Sequence, residues 1–479
     1  MGRVDDIIDE GETCSGQQLE TGLLQPPASQ NDIVGEGFTP AVVLSTLVAV
    51  CGSLATGCAY GYSSPAESGI IVDLGMSVAQ YSTFGSILTI GGMLGSLVNG
   101  KTADIIGRRY TMWVSEVFFL VSWFVIAFAN LPWLLDLGRL IMGFAVGINV
   151  YVIPVYIAEI APKNSRGTLT STHQFMLTFG FSLIYLTGTL ISWRALALVG
   201  VVPCLLHVLG IFFIPESPRW LAKLGKDKEL EETLRYLRGK SVDVSQEALD
   251  IKEHTELFES LSENKIQDLF QRKYADALIV VVGLMVLQEF GGTNAFSYYS
   301  ASIFELAGVS STFGLVSVAI IQIPATITSV LLTDKLGRRP LLLISAFGLF
   351  LSTFLIGLAF LLQELNKSES LTALLAYIGL LGLPITFSTG MAGLPSVVMA
   401  EVFPINIKGT AGSVVTFINW SSSWMVTYSF NFFVLWNSAG TFFIFSTMWI
   451  FGILFIAKFV PETKGRSLEE LQTLINHIK

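Results

Sequence analysis

The feature that most constrains this chain is a series of apolar blocks, each about as long as a lipid bilayer is thick. A bilayer core takes roughly 20 consecutive apolar residues per helix. Blocks of that kind recur near 41–62, 81–100, 111–130, 133–157, 168–191, 195–214, 276–298, 313–333, 341–363, 374–400, 409–436 and 439–460. That makes twelve, six on each side of a charged stretch. Hydrocarbon offers backbone groups no partner, so each block is read as a membrane-spanning helix. The composition agrees, with 52% of the 479 residues hydrophobic and 14% charged, against roughly 25% charged in soluble domains. A soluble enzyme, a disordered chain and a coiled coil are thereby excluded.

The expected organisation is all-α, with a polar tail at 1–40, a six-helix bundle at 41–214 and a helical linker at 215–275. A second six-helix bundle at 276–460 and a short tail at 461–479 complete it. In the linker, Asp227–Leu237 and Ser245–Leu261 carry charges at i,i+4 spacing, as a solvated helical bundle would. If both tails share one side, the alternate loops put 25 of the 28 basic residues on that side. Arg194 and Lys367 fall opposite and Arg139 lies inside a span, so the tails and the linker are expected to be cytosolic. Acidic Asp5, Asp6, Asp9 and Glu10 argue against a cleaved signal peptide.

The four cysteines, Cys14, Cys51, Cys58 and Cys204, show no paired spacing, so neither a disulfide framework nor a zinc site is expected. The span interiors hold no metal cluster, nucleophile elbow or phosphate loop. The expectation is a chain that is not an enzyme, needs no cofactor or metal, binds no nucleic acid and acts as a monomer.

The two halves repeat each other. Asp104 to Arg108-Arg109, between spans two and three, matches Asp334 to Arg338-Arg339 between spans eight and nine. Glu159 to Arg166 after span four matches Glu401 to Lys408 after span ten. Pro215-Glu216-Ser217-Pro218-Arg219 closes span six, and Pro461-Glu462-Thr463-Lys464-Gly465-Arg466 closes span twelve. The offsets are 230, 242 and 246 residues, in matching order. Positive-inside topology alone explains the bases but not the acids beside them, because Asp and Glu contribute little to orientation. Acid–base pairs at span ends are expected to latch the cytosolic side when it is shut.

These duplicated motifs resemble the sugar porter family of the major facilitator superfamily, over residues 41 to about 470. Gly61-Tyr62-Ser63-Ser64-Pro65 is most similar to the plant early-responsive-to-dehydration-type (ERD-six-like) monosaccharide transporters. The resemblance implies the major facilitator fold, alternating access and a neutral monosaccharide substrate such as a glucose- or fructose-like hexose or a pentose. It also implies the vacuolar membrane, with the plasma membrane as the alternative. Leu19 to Leu23-Leu24 resembles a dileucine sorting signal.

Transporters hold substrate near the midplane, where helices are interrupted. Span seven is interrupted by Gly291-Gly292, and Gln288, Glu289, Asn294, Tyr298 and Tyr299 surround the break. Span five has His173-Gln174, span eight Gln322 beside Pro324, and span eleven Asn419-Trp420. Polar groups in lipid are costly and face a cavity or another helix. The plain alternative is interhelical hydrogen bonding, worth about 0.6 kcal/mol on average. In sugar porters, residues matching Gln174, Gln288, Asn294, Gln322 and Asn419 line the sugar site and Trp420 packs beside it. The family often has an amide where Glu289 stands, and a Trp after the span-ten proline where this chain has Pro395-Ser396; Glu289 is counted with the candidate substrate-binding residues, its alternatives being a protonatable group or a hydrogen-bonded structural acid.

Many proton-coupled relatives carry Asp in a Gly-Tyr-Asp motif, opposite an Arg in span four. Here the residue is Ser63, while Arg139 is kept. Serine releases no proton near neutral pH, so facilitated diffusion is the expected mode. Protons remain a second candidate ligand, carried by Glu67, His173 or Glu289, and Asp136 is a candidate structural partner for Arg139. An unperturbed histidine titrates near about 6.5. A channel or a sugar-sensing receptor on the same fold is the less favoured alternative.

Overall fold

The computed structural model describes residues 39–464 apart from 240, 262–268, 270 and 368. Leu19–Leu24 and the tail from 465 lie outside the described residues, as does the side chain of Asp334. Regular structure among the described residues is helical.

The first half consists of α1 (Pro40–Gly61), α2 (Ser63–Leu74), α3 (Val78–Ile106), α4 (Arg108–Ala127), α5 (Pro132–Ile160), α6 (Arg166–Gly188) and α7 (Trp193–Ile211). The linker carries α8 (Pro218–Lys223), α9 (Asp227–Arg238) and α10 (Ser245–Leu261). The second half consists of α11 (Arg272–Phe290), α12 (Thr293–Leu306), α13 (Ser311–Leu336), α14 (Arg338–Glu364), α15 (Glu369–Thr386), α16 (Leu394–Val402), α17 (Ile405–Trp436) and α18 (Ser438–Phe459). Paired with their continuations, these form twelve spans, the number of the major facilitator fold. Ten of them are long and apolar enough to cross a bilayer on those grounds alone. The other two, α6 and α17, are more polar, and they carry Gln174 and Asn419.

Three spans are broken. Span one continues past Tyr62 as α2, which the sequence left unassigned between apolar blocks because Ser63, Ser64, Glu67 and Asp73 dilute its hydropathy. Span seven breaks at Gly292, whose φ of +80° is open to glycine at little cost. Span ten passes from α15 through a π-helical turn, Phe387–Met391, before α16 resumes.

Close packing in the first bundle follows from small residues. A Cβ on Gly91 would sit 2.2 Å from the Leu140 carbonyl oxygen, and one on Gly143 would sit 2.0 Å from that of Leu88. Helices α3 and α5 therefore touch backbone to backbone, the way spans associate where lipid removes the hydrophobic drive.

The end of the molecule that carries Gly107, Glu159, Glu216, Gly337, Glu401 and Glu462 is called the motif end below, and the opposite end the far end. At the far end α2 lies on α12, across the two bundles. Tyr185 Oη donates to the Ser297 carbonyl at 2.6 Å, Ala301 N donates to Ser64 Oγ at 2.9 Å, and Asn431 Nδ2 donates to Ser82 Oγ at 3.0 Å.

Candidate substrate site and gate charges

At the break in span seven, the chain brings four polar side chains of the second bundle together. Glu289 is 3% exposed. Its Oε2 accepts from Asn294 Nδ2 at 2.6 Å and its Oε1 accepts from Asn419 Nδ2 at 3.1 Å. Ser423 bonds the same carboxyl group and accepts from Asn294 Nδ2 at 2.9 Å. The glycine break lets α12 start afresh, which places Asn294 one turn beyond Glu289. Asn419 and Ser423 are one turn apart on α17, so both reach the same carboxyl group. Ser423 went unnoticed in the sequence, where its i+4 relation to Asn419 was the available signal.

Gln174 and Gln322 belong to opposite bundles and share a level. Thr178 Oγ1 donates to the Gln174 carbonyl at 3.1 Å, and the single hydrogen of Thr326 Oγ1 has two acceptors in reach, the Gln322 carbonyl at 3.0 Å and Thr178 Oγ1 at 3.2 Å. Gln322 Oε1 is buried without a hydrogen-bond partner. Gln288 is half-buried. Trp420 reaches the first bundle, its ring 2.7 Å from where a Cβ on Gly92 would stand.

The coupling candidates are scattered. Arg139 is fully buried. Its Nη1 donates to the Ala59 carbonyl at 2.8 Å and its Nη2 donates to Ser63 Oγ. The Phe84 and Tyr62 rings stand 5.2 and 5.9 Å from the guanidinium carbon. Asp136 does not neutralise it: the guanidinium points to α1 and α2, and Asp136 Oδ1 is buried without a partner. His173 Nδ1 is hydrogen-bonded to Ser53 Oγ at 2.7 Å. Glu67 sits at the far-end bundle contact, bonded to Ser302 of α12 with Oε2 buried and unpartnered. Its bond is to Ser302, while the guanidinium of Arg139 holds Ala59 and Ser63.

At the motif end the repeated charges pair within each bundle. Arg108 forks onto Glu159 (Nε to Oε2 at 3.0 Å, Nη2 to Oε1 at 3.2 Å) and reaches Asp104 Oδ1 at 3.1 Å. Ser217 Oγ donates to Glu159 at 2.5 Å. In the second copy Arg338 Nη2 donates to Glu401 Oε1 at 2.8 Å. Of the bases grouped with these acids, Arg108 is the one that engages Glu159 and Arg338 the one that engages Glu401. A planar guanidinium already engages each acid, Arg166 Nε is buried without a partner, and Lys408 Nζ donates to the Ala400 carbonyl at 2.8 Å. Arg109 and Arg339 contribute backbone instead. Arg108 N and Arg109 N donate to Glu216, and Arg338 N and Arg339 N donate to Glu462, at 3.0–3.2 Å. A carboxylate thus caps the N-terminus of α4 and of α14, where helix dipoles favour negative charge. The turn preceding each cap needs Gly107 and Gly337, with φ of +90° and +89°. The sequence repeat had flagged Glu216 and Glu462 without revealing this role.

With the duplicated caps, the broken seventh span and its polar cluster described, the sequence comparison decides the family. Residues 41–475 match the family model described as "Sugar (and other) transporter". The chain belongs to that sugar transporter family. Sugar transporter ERD6-like 17 of Arabidopsis thaliana is 48% identical over 462 residues, covering 96% of this chain and 97% of that protein. Sugar transporter ERD6 of the same plant is 48% identical over 464 residues, covering 96% and 94%. Among solved structures, the proton:xylose symporter XylE bound to 6-bromo-6-deoxy-D-glucose superposes with a TM-score of 0.76 at 25% identity, covering 91% of this chain and 100% of that one. The inward-open form of XylE from E. coli gives 0.77 at 25% identity over 90% and 99%. This chain is therefore a multi-pass membrane sugar transporter of the major facilitator superfamily, and not an enzyme.

Proposed function

We propose that this transporter equilibrates a neutral monosaccharide, a glucose- or fructose-like hexose or a pentose, by alternating access without a coupled ion. The sugar sits among Gln174, Gln288, Asn294, Gln322 and Asn419, with Trp420 beside it. Amides and hydroxyls from both bundles suit a polyol. The charged groups within the spans support the same reading: Glu289 is held by three donors, and Arg139 is turned away into the first bundle. The observation that carries the mode is the Arg139–Ser63 hydrogen bond. It occupies the place where proton-driven relatives are expected to hold a titratable carboxylate.

The far-end contacts between the two bundles fit a state closed at the far end. With the motif end cytosolic, as the basic residues favour, this is the inward-facing state. The vacuolar membrane is the proposed location and the monomer the proposed unit. Trans-stimulated exchange of labelled D-glucose, D-fructose and D-xylose in proteoliposomes tests the function. Saturable uptake that accelerates when the same sugar is loaded inside supports a carrier. Linear, non-saturating flux would make the protein a channel.

Proton coupling is the second reading, because the XylE structures are those of a proton:xylose symporter. Its route would run through Glu67, His173 or Glu289.

A further inference from the structure

Glu289 stands at the centre of the proposed sugar site, acidic where the resemblance leads one to expect an amide. Its two oxygens take one amide each, Asn294 Nδ2 at 2.6 Å and Asn419 Nδ2 at 3.1 Å. The remaining hydrogen on each nitrogen is also directed to a partner. Asn294 Nδ2 donates to Ser423 Oγ at 2.9 Å, and Asn419 Nδ2 points to Met285 Sδ at 3.7 Å. A carboxylate only accepts hydrogen bonds. Neither amide can therefore rotate its nitrogen outward without turning its carbonyl oxygen onto a carboxylate oxygen. What each amide has left to offer is its Oδ1, an acceptor.

We infer that Glu289 is a positioning residue that fixes the orientation of Asn294 and Asn419, so that this part of the site presents acceptors only and selects for sugar hydroxyls that donate. The inference rests on the proposed assignment of those two asparagines to the sugar site. A glutamine at 289 brings one oxygen and one NH2 group. Facing two amide nitrogens, it sets N–H against N–H at one of them, and that amide turns over and exposes a donor. Glutamate and glutamine at this position thus specify different hydrogen-bond polarities toward the same sugar.

Fluorine separates the two cases, because a deoxyfluoro sugar keeps a weak acceptor where a hydroxyl was and loses the donor. The experiment is competition against labelled D-glucose uptake in proteoliposomes by the complete deoxy and deoxyfluoro D-glucose series, or by the D-xylose series if xylose is the better substrate. The parent is compared with Glu289→Gln, Asn294→Ala and Asn419→Ala. Hydroxyls that contact the asparagines are those whose deoxy penalty, roughly tenfold for a lost hydrogen bond in a buried site, shrinks in an asparagine variant. At those positions the deoxy and deoxyfluoro analogues should be equally poor competitors in the parent. In Glu289→Gln the deoxyfluoro analogue should recover at least about threefold over the deoxy analogue at one of them. The ratio is taken within each variant, so lower expression or looser packing does not move it.

Recovery by fluorine already in the parent overturns the inference, as does equality of the two analogues in Glu289→Gln. If no deoxy penalty changes in either asparagine variant, the site assignment itself fails. Should Glu289→Gln not reach the membrane, the parent with the two asparagine variants still decides: equal deoxy and deoxyfluoro penalties at the asparagine-contacting hydroxyls support the inference, and recovery by fluorine there overturns it.

Discussion

The guanidinium of Arg139 donates to the hydroxyl of Ser63 in the middle of the first bundle, where it also holds the Ala59 carbonyl at 2.8 Å. Both acceptors are neutral at any pH a membrane compartment reaches. Nothing in this contact changes when one side of the membrane is acidified. A ligand or proton shifts a conformational equilibrium only through its differential affinity for the two states.

Ser63→Asp places a carboxylate within reach of that guanidinium. Breaking a buried ion pair costs about 3–5 kcal/mol, so the variant should stall near neutral pH. It should regain rate as the assay is acidified and the new carboxylate is protonated. Parent uptake between pH 5.5 and 7.5, read as initial rate, should vary by less than about threefold by comparison. An equally steep profile in the parent would locate a titrating group elsewhere.

Gln288→Ala removes one amide from the proposed sugar site and leaves the Glu289 cluster in place. The loss should be about 1 kcal/mol, roughly a fivefold rise in KM with little change in maximal rate. Initial rates over a range of sugar concentrations, normalised to protein in the membrane, check this. Unchanged kinetics would remove Gln288 from the site.

Much of this was legible in the sequence, and the illegible parts share a cause. Apolar blocks and their repeats announced the spans, because membrane solvation imposes length and composition on every one of them. Helix α2 was missed because its buried first half packs on α12 and need not be apolar. The charges of the motif end were legible as a set, but their partners were not. The set offers several bases to each acid, and only packing decides that the fork-shaped guanidinium of Arg108 is the one that engages Glu159. Ser423 and the backbone caps at Glu216 and Glu462 escaped because their roles depend on how neighbouring spans pack.

The two caps should respond oppositely to pH. Burial pushes the Glu216 carboxyl above its ordinary value despite the N–H groups of Ser217, Arg109 and Arg108. Burial also opposes Glu462, but the N–H groups of Lys464, Arg338, Arg339 and Thr463 outweigh it and hold that carboxyl below its ordinary value. The ionised Glu462 cap therefore contributes stability above the ordinary carboxyl range, and loses it as pH falls through the folded value. Glu462→Gln should lower the melting temperature at pH 7, and the deficit should close in acid. For Glu216 the raised value contributes stability at low pH that is lost as pH rises. Glu216→Gln, set against the parent at each pH, should thus do relatively better at pH 7 than in acid. Melting curves at both pH values, with the two variants moving in the same direction, would contradict the assignment.

Among the described residues Glu401 accepts one hydrogen bond, from Arg338, whereas Glu159 holds Arg108 by two and Ser217 besides. The second copy is the weaker tie. If these acids help the motif end close, Glu401→Gln should favour the state open at that end. A single cysteine introduced on the motif-end side of the cavity should then react faster with a polar maleimide. An unchanged labelling rate would leave the charges a topological role only.

On the proposed mode this sugar transporter equilibrates its substrate and does not concentrate it. Proteoliposomes should be loaded with labelled sugar outside and an imposed proton gradient, in either direction, and followed to plateau. An equilibrating carrier reaches a plateau at equal internal and external sugar concentrations with or without an uncoupler, whatever the gradient does to the initial rate. Accumulation above the outside concentration that an uncoupler abolishes would contradict it.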